Sequence, residues 1–178
     1  MLKVNDYVVY GSTGVCQITN IVKEEYSGNE TEYYVLHPVF HNNMTIKTPV
    51  NNPNVYMRPI FTKDEVLSLI ASLPDKETFS IDDGKQRTQR TVTFKAALKT
   101  GNNEDWVKVI KTIYLEKEAK SAINKKIPKT DEEIMNTAEK YLAEEFAIAL
   151  NISPDEVVPY ILEYISNLEK QTAKNTAP

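Results

Sequence analysis

Before residue 62 the apolar positions fall in short runs of β-branched and aromatic residues: Tyr7-Val8-Val9-Tyr10, then Val15 onward to Val22, then Tyr33-Tyr34-Val35-Leu36, then Met44-Thr45-Ile46. Gly11, Gly14, Ser27-Gly28-Asn29, His41-Asn42-Asn43, Pro49 and Pro53 separate or close them. Short runs bounded by turn formers predict an antiparallel all-β module of about five strands. Ser27-Gly28-Asn29 suits a hairpin turn, because Gly and Asn tolerate positive φ. The segment is too short for a two-sheet sandwich of the immunoglobulin type, so a small SH3-like or Tudor-like β-barrel is the expected closure.

From Thr62 the spacing becomes helical. Thr62 caps a helix with Asp64 and Glu65 in its first turn and Val66, Leu69, Ile70 and Leu73 on its apolar side, and Pro74 stops it. Asp82-Asp83 open a second helix that runs to about Lys99, ended by Thr100-Gly101-Asn102-Asn103. A third begins near Asp105, with Trp106, Val109, Ile110, Ile113 and Tyr114 on its stripe. Thr130-Asp131-Glu132-Glu133 reads as a capping box for a helix carrying Ile134, Ala138, Tyr141, Leu142, Phe146 and Leu150. Ser153-Pro154-Asp155-Glu156 starts a last helix that Pro159 is expected to distort, and Gln171 begins a tail expected to fray. The fold class is therefore α+β in two domains: a small β-barrel over residues 1–61 and an all-α domain over residues 62–178.

Composition narrows the function. The 178 residues are 41% hydrophobic and 26% charged, ordinary for a globular chain. No apolar run approaches the roughly 20 residues of a membrane-spanning helix, and Met1 leads straight into charged, strand-like sequence, so a cytoplasmic protein without membrane contact is expected. A net charge of -4 argues against coating nucleic acid by bulk charge, so such a contact must be local. The single thiol, Cys16, has no Cys or His at zinc-like spacing, and no glycine-rich phosphate loop is present. Cys16 with His37 or His41 is the one nucleophile-and-base arrangement available, yet Cys16 lies in a predicted strand with no cation nearby to lower its pKa. The pairs Glu24-Glu25, Glu132-Glu133 and Glu144-Glu145 read as solvated faces. The expectation is a protein that is not an enzyme and uses no cofactor or metal.

One window carries a single sign. Residues 84–103 contain Lys85, Arg87, Arg90, Lys95 and Lys99 and no acid. On a helix, Phe94 and Leu98 would anchor the core side while Arg87 and Arg90 project from the first turns. Spacing alone fits either phosphate contact, with its salt-sensitive affinity, or a solvated face paired with local acids. Trp106 fits a core role in register with Val109 and Ile113 better than an exposed wedge between bases. The run Met44-Thr45-Ile46-Lys47-Thr48-Pro49-Val50 reads either as an edge strand offering backbone groups to a partner sheet or as an ordinary barrel strand.

Five blocks in order are similar to the CarD/CdnL group of bacterial transcription regulators: Val4-Asn5-Asp6-Tyr7-Val8-Val9-Tyr10, Gly14-Val15, Glu32-Tyr33-Tyr34-Val35-Leu36, residues 44–50, and Met57-Arg58-Pro59-Ile60. The β part also resembles the RNA polymerase interaction module of transcription-repair coupling factors. Tyr141-Leu142-Ala143-Glu144-Glu145-Phe146-Ala147 resembles the helical domain of the CarD group. The resemblance implies a Tudor-like domain that binds the polymerase β subunit by strand addition, and a helical domain that touches promoter DNA and stabilises the open complex. By position Lys47 matches a basic residue of the family that faces polymerase; with it Glu24, Glu25, Tyr26, Thr45 and Pro49 are the expected polymerase contacts, and Lys85, Arg87, Arg90 and Lys95 of the one-signed window are the expected DNA contacts. Glu24 stands where some members carry an interface arginine, and no aromatic residue falls near Arg87, where the family has a wedging tryptophan. A monomer is expected, and the rival reading is a protein–protein adaptor that does not touch DNA.

Overall fold

The computed structural model describes residues 2–26, 29–41, 44–79 and 87–175. The predicted turn at Ser27-Gly28 and the predicted helix start at Asp82-Asp83 lie outside these residues. The chain folds as two compact units, Met1–Ile60 with Lys99–Gly101, and Phe61–Leu98 with Asn102–Pro178.

The first unit is one antiparallel sheet of β1 (Tyr7–Tyr10), β2 (Gly14–Tyr26), β3 (Asn29–Pro38), β4 (Ile46–Pro49) and β5 (Met57–Pro59). The strand order is β4-β3-β2-β1-β5. The sheet is open, which corrects the expected closed barrel. The seam strands explain this: β4 has 4 residues and β5 has 3, and each ends on a proline that brings no N–H to a ladder. Where closure would have joined the two ends there is a groove of about 840 Å³, lined in part by Leu2, Tyr7, Tyr34, Val50, Pro59 and Ile60.

Val8, Cys16, Ile18, Tyr34 and Leu36 form the core on one face, with Leu2, Ile46, Val50 and Met57 packed against them. A bulge in β2 keeps that face apolar: Ile18 pairs with Leu36, Thr19 is skipped, and Asn20 pairs with Val35. Ile21 then lies opposite Tyr34, on the core side with Ile18, although strict alternation would turn it away. The β1–β2 turn needs Gly14, whose φ of 87° with ψ of -147° is open only to glycine.

The second unit holds α1 (Lys63–Ser72), α2 (Arg87–Lys99), α3 (Asn103–Ser121), α4 (Lys129–Leu150) and α5 (Pro154–Asn175). The capping box at α1 is complete, with Thr62 accepting from the Glu65 N–H and Glu65 accepting from the Thr62 N–H at 2.7 Å. At α4 the expected box does not form: the helix starts one residue before Thr130, with Pro128 at the cap and no side-chain cap bond. Asp131, drawn into an ion pair with Arg90, sits in the first turn instead. α5 continues as one helix past Pro159 and past Gln171, where fraying is predicted.

Trp106 is 1% exposed and donates through Nε1 to the Leu98 carbonyl at 3.2 Å, so it is a core residue. Its ring lies 5.2 Å from that of Tyr141, tying α3 to α4. Glu144 and Glu145 are buried, which corrects their reading as a solvated face. Burial is sustained by partners: Glu145 accepts the Phe61 N–H at 2.8 Å, and Lys140 lies 3.8 Å from Glu144.

Candidate functional site

The open border of β4 follows from its ladder. Antiparallel pairs alternate between residues that exchange backbone hydrogen bonds and residues that do not. The Val50 N–H donates to the Glu32 carbonyl at 2.9 Å, and the same register pairs Thr48 with Tyr34 and Ile46 with Leu36. Ile46 and Thr48 therefore bond inward, and Lys47, opposite Val35, turns its N–H and C=O outward from the sheet. Pro49 presents only a carbonyl outward, which ends any pairing there. The opposite border is blunter: β5 exposes its outward positions at Met57 and at Pro59, which has no N–H.

Side chains at this border share a face by register. Val35 lies between Lys47 and Asn20, Tyr33 lies between Pro49 and Val22, and Glu24 follows Asn20 and Val22 at alternate positions of β2. Lys47 reaches across β3, with Nζ 5.3 Å from the centre of the Tyr33 ring, to an ion pair with the Glu24 carboxylate. Both charged side chains remain half open to solvent, at 39% and 52% exposure. Thr45 Oγ1 lies 3.0 Å from His37 Nε2 on the same face. The structure thus brings together Glu24, Thr45, Lys47 and Pro49 of the six predicted polymerase contacts. Glu25 alternates to the other face of β2, and Tyr26 ends that strand. Tyr33 and the Glu24–Lys47 pairing were missed by sequence reasoning. A cross-strand aromatic between two opposite charges is visible only once the β2–β3–β4 register is known.

The predicted DNA contacts divide differently. Lys85 lies outside the described residues, and Arg87 opens α2. Arg90 does not project, which corrects the expectation: its guanidinium pairs with Glu116 of α3 and lies 3.1 Å from Asp131 of α4, with its side chain 17% exposed. Its guanidinium carbon also sits 5.0 Å from the centre of the Phe94 ring. The acids that draw it inward lie 26 and 41 positions further along the chain, so a local window gave no sign of them. Lys95 is exposed, on one outward stripe of α2 with the exposed Thr88 and Val92.

Among the described residues no group of three metal-ligating side chains forms, and no helix is long and apolar enough to cross a membrane. Cys16 is fully buried against the sheet, with its thiol 3.9 Å from the Gly14 carbonyl. Residues 2–61 match the CarD-like/TRCF RID domain family. No curated protein matches the chain.

Proposed function

We propose, from the premise that the chain is CarD-like with an N-terminal domain of the TRCF RID type, that it is a non-enzymatic transcription regulator acting in the bacterial cytoplasm. The domain type implies interaction with RNA polymerase. In our reading the β subunit supplies a strand that pairs along β4, and the helical unit meets promoter DNA and modulates the open complex. The observation that carries the docking half is the outward-facing backbone of Lys47 on an open edge strand. Strand addition takes its affinity from such unpaired N–H and C=O groups and its specificity from the alternating side chains beside them.

For the DNA half, support comes from Lys95 on the outward stripe of α2 and from Arg87 at its start. Few cations suffice when the polymerase holds the protein at its site. A second contact made by an already tethered body occurs at high effective concentration, so it need not bind free DNA appreciably. The inward commitment of Arg90 favours a second reading, an adaptor whose helical unit binds protein.

The test of docking is Lys47→Pro. Proline removes one outward N–H and no inward ladder bond, so the sheet is expected to stay folded while affinity for polymerase and its isolated β lobe falls at least tenfold. A folded Lys47→Pro variant that binds as tightly as the parent would remove β4 from the interface.

A further inference from the structure

The Lys47 ammonium is already occupied when the docking edge is empty. It crosses the Tyr33 ring to the Glu24 carboxylate, three strands joined on one exposed face. A strand added beside β4 places one residue directly opposite Lys47, on that same face, at the distance where opposite charges attract. From this we propose that Glu24 is an intramolecular competitor for Lys47: it occupies the cation that an acidic residue of the incoming strand must take, and so sets both the charge preference and the strength of docking. The proposal rests on the reading of β4 as the polymerase-binding edge.

The competition has a definite direction. Glu24 approaches from the β2 side and a partner strand from beyond β4, so Lys47 exchanges one carboxylate for another by swinging its four-carbon stem toward the edge. Glu24 is held in place by a two-strand ladder from Asn20–Val35 to Tyr26–Asn29, which keeps it near Lys47 whether or not a partner is present. Lys23, its neighbour on β2, does not replace Lys47 as its partner. It alternates to the other face and pairs with Glu30 at 3.4 Å and Glu32 at 3.8 Å. A partner presenting a basic residue opposite Lys47 meets repulsion from it, so the edge selects acidic strands.

The experiment measures affinity of the full chain for the polymerase β lobe at low and moderate salt, for the parent, Glu24→Gln, Lys47→Met and the double variant. Glu24→Gln is expected to bind roughly two- to fivefold tighter at low salt, the range an exposed ion pair is worth. The gain should vanish in the Lys47→Met background and shrink as salt screens the partner's carboxylate. Equal or weaker binding of Glu24→Gln, or a gain that persists without Lys47, overturns the competition while leaving the edge as the docking site. If Lys47→Pro also binds like the parent, the docking reading itself fails and the competition falls with it. Both side chains are exposed, so the variants are expected to fold, which circular dichroism checks directly.

Discussion

Replacing Arg90 by methionine isolates the ionic clasp of the helical unit. Arg90 joins Glu116 of α3 and Asp131 of α4, and the three side chains are 17%, 16% and 5% exposed. Breaking a buried pair from one side costs about 3–5 kcal/mol, whereas an exposed pair is worth about 0–1 kcal/mol. Glu116 keeps Lys120 at 2.5 Å, so the uncompensated charge is chiefly that of Asp131. Asp131 in turn retains the favourable field of the α4 N-terminus. The expected loss is therefore about 2–3 kcal/mol. Methionine keeps an apolar stem of similar length beside Phe94, so the loss is chiefly of charge, including its attraction to the ring, rather than of packing. Urea unfolding followed by fluorescence reads this unit specifically, because Trp106 is the single tryptophan and is buried within it.

The pH dependence of the same clasp has a fixed sign. Burial, the largest single influence on Glu116, disfavours its ionised form, but hydrogen bonds from Arg90 and Lys120 and their charges together outweigh it. The carboxyl is held below its ordinary value of 4.5, so its contribution is present above that value and is lost as pH falls through the lower folded one. The part of the gap between parent and Arg90→Met that comes from Glu116 should be present at neutral pH and be lost in acid. Asp131→Asn added to Arg90→Met should recover at least half of the loss, since it removes the stranded charge. A single-variant cost below about 0.5 kcal/mol, the level of an ordinary surface change, would refute the clasp.

Beside the Lys47→Pro test, three further outcomes are expected. Gly14→Ala forces an L side chain into a glycine-only conformation and should cost about 1–3 kcal/mol in chemical denaturation; an unchanged midpoint would mean the turn relaxes freely. Cys16, with no exposed surface, should label with a thiol reagent slowly at neutral pH and rapidly in denaturant, whereas rapid labelling of the folded chain would revive the nucleophile reading. Arg87→Ala with Lys95→Ala should flatten the salt dependence of promoter-complex stability by a slope of roughly one per lost phosphate contact, and an unaltered slope would favour the adaptor.

Most local chemistry was legible in the sequence, the box expected at Thr130 excepted, and pairing at a distance was not. The change from strand to helix texture at Thr62, the cap at Thr62, the stop at Pro74 and the core placement of Trp106 are each written within a few residues, and the structure has them. Barrel closure failed as an expectation because β4 and β5 are only 4 and 3 residues long, lengths that their strand-like composition does not fix. Arg90 turned inward because Glu116 and Asp131 lie on other helices, and Glu145 is buried because it meets the Phe61 N–H 84 positions away. At the candidate site Lys47 and Pro49 could be read from their run, but the partnership with Glu24 required the β2–β3 register, and that register is reset at Thr19.

The irregularity at Thr19 makes the β2–β3 arm tolerant of length change at one position and intolerant elsewhere. Removing Thr19 would straighten the strand yet leave every later residue opposite its present neighbour, so Ile21 stays with the core and Glu24 stays on the face of Lys47. Removing one residue between Asn20 and Tyr26 would turn inside out whatever lies on the far side of the cut, sending Glu24 or its neighbours to the opposite surface. Thr19 is slack built into the backbone, and it is where this arm can be shortened without rewriting its electrostatics.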